Sequence, residues 1–275
     1  TFQDYPVLAA RLATEKRRPL GVGIINFAYW LAKNDLTYQN IDAKGLALID
    51  EWAEAWSYYL IKASADLAAE QGAPSGNMET KYGHGITPNQ TYKKDLDELI
   101  PHVERKDWAG LREQLKATGI RNSTLMALMP SETSAQIANA TNGIEPPRSL
   151  ISVKQSKHGV LKQVVPEFKR LKNKYDLLWD QRSPVGYLKI MAVLQKYIDQ
   201  GISINTSYNP VFYEDEKIPM STMLQHMILF YKLGGKQLYY FNTNDGQGEI
   251  DVSKMMATEE LPELSEEEFC ESCTI

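Results

Sequence analysis

The chain is poor in cysteine, and above all it lacks a second cysteine pair. Among 275 residues there are two cysteines, Cys270 and Cys273, and four histidines (His84, His102, His158, His226) scattered without ligand spacing. A closed structural zinc site takes four ligands, so the dithiol reading of Cys270-Glu-Ser-Cys273 outranks the zinc reading, and no metal is expected. Two cysteines in a chain of this length also exclude a disulfide-stapled secreted scaffold. The sequons at Asn89, Asn122, Asn139 and Asn205 therefore read as chance, in a reducing cytoplasm. Positive charge is not in excess. Lys and Arg number 30 against 35 Asp and Glu, a net charge of −5, which speaks against a nucleic-acid partner. The longest apolar stretch, residues 21–32, is too short to span a bilayer. No cationic, apolar signal peptide opens the chain, so no membrane association is expected. The first residue is Thr1 rather than Met, and the chain reads as a fragment or processed piece.

What is present is ordinary globular composition, 43% hydrophobic, followed by a polar end. From Glu249 onward nine acids face a single base, Lys254. Such a segment buries too little apolar surface to offset the entropy of ordering. The expected organisation is a folded domain over 1–248 and a flexible acidic tail over 249–275 that carries the dithiol. A thiolate attacks a disulfide through a mixed disulfide, so a tethered pair can visit a buried site and then an external reductant. Thirty residues separate Tyr240 from Cys270. A flexible chain of that length has an end-to-end distance of roughly 30 Å and an extended limit of about 100 Å.

Periodicity predicts helices over 46–70, 107–118 (capped by Asp107, closed by Gly119), 167–180, 186–200 and 219–233. In the first, Ile49, Trp52, Ala53, Trp56, Leu60, Ala63 and Leu67 form an apolar stripe that reads as core rather than a cofactor box. Residues 72–90 read as loop. Short apolar runs predict strands over 123–129, 202–207 and 237–241. Gly21-Val-Gly23-Ile-Ile-Asn26 is a poor dinucleotide-loop match, because Asn26 stands where the third glycine belongs and no strand precedes it. A closely packed turn is the better reading. Strands alternating with helices point to an α/β barrel or layered sheet, with too few strands for a complete barrel.

Two constellations could carry chemistry. Pro130-Ser131-Glu132-Thr133-Ser134 follows a strand and opens a helix. Free first-turn N–H groups with three hydroxyls suit an anion, while Ser131 also suits an ordinary N-cap, and the two readings are compatible. Tyr239-Tyr240 reads most simply as two strand aromatics on opposite faces; stacking them requires a strand end or a bulge.

At this point the residues match a family. Arg121-Asn-Ser-Thr-Leu-Met-Ala-Leu-Met-Pro-Ser-Glu-Thr-Ser-Ala-Gln136, Asn139-Ala-Thr-Asn-Gly-Ile-Glu-Pro-Pro-Arg148, Leu238-Tyr-Tyr240 and the terminal cysteine pair resemble the large catalytic subunit of class I ribonucleotide reductase. The resemblance begins at Gln3-Asp-Tyr-Pro6 and runs through Gly23-Ile-Ile-Asn-Phe-Ala-Tyr29 and Tyr92-Lys-Lys-Asp-Leu96. It implies the C-terminal half of a ten-stranded α/β barrel and the reduction of ribonucleoside diphosphates to deoxyribonucleotides by a radical mechanism. Pro130, Ser131, Glu132, Thr133 and Ser134 would hold the substrate diphosphate. Tyr239 and Tyr240 would relay a radical. Cys270 and Cys273 would re-reduce an active-site disulfide and be reduced in turn by thioredoxin or glutaredoxin. The 219–233 helix would help form a groove for the small subunit's C-terminal peptide.

The resemblance implies no cofactor on this chain. The radical cofactor, a dimetal or tyrosyl centre, belongs to the small subunit, and the allosteric nucleotides to the N-terminal part of the large subunit. The family's central catalytic cysteine, its two active-site redox cysteines and its acid–base glutamate lie upstream of the matched region, so this chain is expected to need an N-terminal complement, as a split subunit or a partial sequence. The Cys270–Cys273 spacing is also tighter than in many members. The competing expectation is a non-catalytic, subunit-docking or regulatory fragment; a stand-alone disulfide carrier is the third.

Overall fold

The computed structural model describes residues 4–156 and 159–246. All of the predicted acidic tail, with Cys270 and Cys273, lies outside the described residues. Nine α-helices and four strands are formed among the described residues, joined by short 3-10 turns. They are α1 (Leu8–Arg17), α2 (Phe27–Lys33), α3 (Ala43–Gln71), α4 (Pro88–Thr91), α5 (Trp108–Thr118), α6 (Glu132–Ile137), β1 (Ile151–Ser156), β2 (Gly159–Val164), α7 (Phe168–Leu171), α8 (Val185–Gln195), β3 (Thr206–Tyr208), α9 (Met220–Lys232) and β4 (Phe241–Thr243). The architecture is mixed α/β.

Four extended segments lie side by side in chain order. Leu20 N–H donates to the Thr124 carbonyl (3.0 Å), Val22 N–H to Leu125 (2.7 Å), and Ala127 N–H returns to Val22 (3.0 Å), around a parallel bridge between Val22 and Met126. Ser203 N–H donates to Leu128 (3.0 Å), joining the second segment to the third. β3 then pairs in parallel with β4, in the register Thr206–Phe241 to Tyr208–Thr243. Parallel neighbours need crossover connections, and α3 with α5, then α8, then α9 supply them in turn. The predicted strands over 123–129 and 202–207 therefore occupy the right places. Among these four segments continuous pairing is confined to β3 and β4, and the last strand starts at Phe241, just past the tyrosines.

α3 begins where expected because Asp42 accepts from Gly45 N–H (2.8 Å). Its buried line differs from the predicted stripe. Ile49, Ala53, Ile61 and Ala65 are buried together with Asp50, Glu54, Ser57 and Ser64, whereas Trp52, Trp56 and Leu60 flank that line and Ala63 and Leu67 face outward. Small and polar side chains occupy the closest approach to α8, and the indoles stack beside it, with Trp52 and Trp56 centroids 6.1 Å apart at 4°. α8 is buried on nearly every side, as an apolar helix within a core should be. Gly186 is required there, since a Cβ would meet the Tyr38 carbonyl oxygen at 1.9 Å.

The predicted 167–180 helix is broken into α7 and two 3-10 turns. Tertiary hydrogen bonds win over local propensity: the Tyr175 hydroxyl donates to the Pro166 carbonyl (2.8 Å) and Leu178 N–H to the Pro147 carbonyl (2.9 Å). Not foreseen were α1, the short α4 at the end of the segment read as loop, and the antiparallel β1–β2 hairpin.

Candidate functional site

The turn at residues 21–26 is a packing device. A Cβ on Gly23 would meet the Met129 sulfur at 2.8 Å and the Ala127 carbonyl at 3.0 Å, so the first extended segment presses close against the second. Asn26 adopts the left-handed region (φ 67°) at the start of α2. Its N–H donates to the Thr141 carbonyl (2.9 Å), and its Oδ1 accepts from Thr141 N–H (3.0 Å). Asn26 thus anchors the 139–148 turn, in which Asn139 (φ 47°) and Gly143 (φ 46°) also take left-handed conformations.

That turn lines one side of a cleft of about 540 Å³. Pro130 comes to the cleft from the end of the second extended segment, Glu132 from the start of α6, and Asn142, Glu145 and Arg148 from the turn. Asn205 comes from the third segment and Tyr239, Tyr240 and Asn242 from the fourth. Residues separated by more than a hundred positions thus share one wall. Ser131, Thr133 and Ser134 stand at the mouth of α6 beside this cleft.

Ser131 occupies the N-cap position of α6 without making the side-chain cap bond. Its hydroxyl turns back to the Met129 carbonyl (3.1 Å), and its N–H donates to Asn142 Oδ1 (3.3 Å). Ala135 N–H closes the first turn on the Ser131 carbonyl (2.8 Å), so the N–H groups of Thr133 and Ser134 have no intrahelical acceptor. Both side chains are exposed.

Tyr239 and Tyr240 immediately precede β4, where strand alternation is not yet imposed. Their ring centroids lie 4.0 Å apart at 43°, and the two hydroxyl oxygens share a hydrogen bond at 3.2 Å. The pair is held by backbone: Tyr239 N–H donates to the Ile204 carbonyl (2.7 Å), and the Tyr240 carbonyl accepts from Thr206 N–H (2.9 Å). Hydrogen bonding to Tyr240 raises the Tyr239 phenol above its ordinary value. Half of each ring is exposed.

Glu145 is the half-buried acid of the cleft. Burial raises its carboxyl, opposed by a hydrogen bond from Asn205 and by the nearby Arg148 cation. Asn205 Nδ2 donates to Oε1 (2.6 Å) and Asn142 Nδ2 to Oε2 (3.4 Å). Sequence reasoning gave neither Glu145 nor Asn142 a role and met Asn205 only inside a sequon. No periodicity marks them, because two segments distant in sequence, the 139–148 turn and the third extended segment, bring them together. Among the described residues no group of three or more His, Cys, Asp or Glu side chains is arranged to hold a metal ion. No helix among them is long and apolar enough to cross a membrane.

Comparison with known proteins gives a consistent result. The family model described as "Ribonucleotide reductase, barrel domain" matches residues 1–241. The chain is 52% identical over 249 residues to the ribonucleoside-diphosphate reductase subunit alpha of Haemophilus influenzae, covering 90% of this chain and 33% of the relative. It is 49% identical over 271 residues to the ribonucleoside-diphosphate reductase 1 subunit alpha of Salmonella typhimurium, covering 98% and 34%. For the Escherichia coli protein of the same name the identity is 48% over 271 residues, with the same coverage. The chain therefore spans about a third of the length of the curated relatives it matches.

Proposed function

The chain belongs to the ribonucleotide reductase barrel-domain family, and from that membership we propose that it is the C-terminal part of a ribonucleoside-diphosphate reductase large subunit. In this reading it contributes part of a ten-stranded barrel and acts on a ribonucleoside diphosphate. The observation that carries the proposal is one cleft: Pro130 and Glu132, the 139–148 turn and the paired tyrosines line it although they are far apart in sequence, and Ser131, Thr133 and Ser134 stand beside it.

Each residue's role follows from its chemistry. The Thr133 and Ser134 N–H groups and the three hydroxyls grip the diphosphate oxygens, and the exposed Arg148 adds a cation at the rim. That the Ser131 hydroxyl leaves the helix end uncapped supports this use. Tyr239 and Tyr240 pass a radical as a hydrogen atom. One phenol gives up its proton and an electron together to the phenoxyl of the other, and the 3.2 Å hydroxyl contact is short enough for that proton to move. The raised Tyr239 phenol disfavours loss of the proton alone, which supports joint transfer.

The radical originates in the dimetal or tyrosyl centre of the small subunit, and it is delivered to a cysteine that this chain, with its two cysteines at 270 and 273, leaves to an N-terminal complement. Cys270 and Cys273 return electrons from thioredoxin or glutaredoxin to the active-site disulfide. α9 offers a docking face for the small subunit's peptide: Met220, Leu224, Met227, Ile228 and Tyr231 are all exposed, and only Phe230 is buried.

The test is reconstitution. This chain, an N-terminal complement and a small subunit are mixed and assayed for nucleoside diphosphate reduction. Tyr239→Phe and Tyr240→Phe, each lacking the phenolic O–H, should abolish turnover while the subunits still assemble. Turnover in either variant overturns the relay, and no turnover in the parent mixture overturns the enzymatic reading in favour of a docking fragment.

A further inference from the structure

One hydrogen-bonded chain crosses the cleft from the phosphate-side loop to the tyrosine pair. Ser131 N–H donates to Asn142 Oδ1 (3.3 Å), and Asn142 Nδ2 donates to Glu145 Oε2 (3.4 Å). On the other side Tyr240 N–H donates to Asn205 Oδ1 (3.1 Å), and Asn205 Nδ2 donates to Glu145 Oε1 (2.6 Å). The polarity of this chain is fixed from both ends. A backbone N–H can only donate, so each asparagine must turn its carbonyl oxygen outward and its NH2 group inward. Both NH2 groups then converge on residue 145, which must accept at two oxygens. A carboxylate does so; a glutamine or a protonated acid presents a donor to one of the two NH2 groups and breaks that arm.

We infer that Glu145 is a positioning residue that holds the substrate-gripping loop and the radical-relay tyrosines in register through Asn142 and Asn205. This rests on the functional reading above. Six of the eight bonded atoms belong to backbone or to amides that have no chemistry of their own, so the chain acts on geometry. Glu145 is half-buried, so bulk water replaces a broken arm only in part, and the defect stays local. The two arms also end on different functions. Loss of the Asn142 arm frees Ser131, which meets the diphosphate. Loss of the Asn205 arm frees the backbone of Tyr240, which carries the radical.

The experiment uses the reconstituted complex with Asn142→Ala, Asn205→Ala and Glu145→Gln, each checked for assembly and melting temperature. Asn142→Ala should raise KM for the nucleoside diphosphate roughly tenfold with a smaller effect on kcat, the scale of one hydrogen bond to a charged group. Asn205→Ala should lower kcat by a similar factor with KM near the parent value. Glu145→Gln keeps one acceptor oxygen, so it should show one of the two defects, and adding the asparagine substitution of that same arm should worsen it no further. If the two asparagine variants change the same parameter by the same factor, or if Glu145→Gln matches the parent in both, the inference is overturned. Should Glu145→Gln fail to assemble, the split between the two asparagine variants decides alone. A parent complex that is inactive, or that stays active with Tyr240→Phe, sinks the proposed function instead, so the two failures are distinguishable.

Discussion

At the scale of single residues, His226 shows how burial sets a titration. Its ring stacks on Tyr208 at 5.8 Å and 13°, with Nδ1 3.1 Å from the Tyr208 hydroxyl. Burial lowers its pKa from the ordinary 6.5. A lowered value means the folded state prefers the neutral ring. That contribution to stability is complete above the unfolded value of 6.5 and is lost as pH falls through the lower folded value. Unfolding free energy should therefore fall with pH more steeply below 6.5 in the parent than in His226→Phe, which keeps the stack and cannot titrate. Equal slopes in denaturant titrations would contradict this. Glu145, Asp176 and Asp199 are raised by burial and act with the opposite sign, and comparing variant with parent cancels them. Residue-level reading of the sequence succeeded where chemistry is local. Asp107 and Gly119 bound α5 as expected, and Gly23 is the packed turn rather than a nucleotide loop. It failed where a side chain has two options: Ser131 suits a cap, but a carbonyl two residues back takes its hydroxyl.

At the scale of elements, the contact between α3 and α8 depends on buried charge. Lys196 and Asp50 are both fully buried and 2.9 Å apart. Asp50 also accepts from the Tyr197 hydroxyl (2.9 Å) and pairs with Arg105 (2.9 Å). Glu54 accepts from Arg105 and from the Trp108 indole (3.0 Å), which brings the start of α5 onto α3. Removing one partner from a buried pair leaves an uncompensated charge. Asp50→Ala should cost about 3–5 kcal/mol in denaturant unfolding. Asp50→Ala combined with Lys196→Met should recover most of that loss, because neither charge then remains. A cost below about 1 kcal/mol for the single variant would show that water reaches Lys196. The periodicity of α3 gave the helix but placed its stripe on the tryptophans. A charged residue scores as surface in any pattern reading, and only its partners on α8 and the 103–108 loop make it core.

At the scale of the whole molecule, function requires parts to meet that the chain does not keep adjacent. The cleft joins three regions of the fold, and α1 and α9 leave apolar residues such as Leu8, Leu12, Leu224 and Tyr231 exposed. The proposed dithiol shuttle adds a fourth part on a tether of thirty residues beyond Tyr240. Since exchange passes through a mixed disulfide, both sulfurs are needed to release the product thiols. Cys270→Ser or Cys273→Ser in the reconstituted enzyme should stop repeated turnover with a thioredoxin-type reductant and spare a single round of reduction. Sustained turnover in either variant would remove the shuttle from the mechanism.

By itself the sequence determined the helices whose caps and periodicity are local, the alternation of helix and strand, the motif strings that place the chain in its family, and the absence of any third cysteine. Tertiary structure alone decided that the Tyr239 and Tyr240 rings meet, because only pairing with the 204–206 segment sets where β4 begins. It alone decided that Asp50, Glu54 and Lys196 are core, and that Asn142, Glu145 and Asn205 converge. The physical reason is the same throughout. Caps and periodicity act over a turn or two of chain, whereas a buried carboxylate is defined by donors that come from other loops.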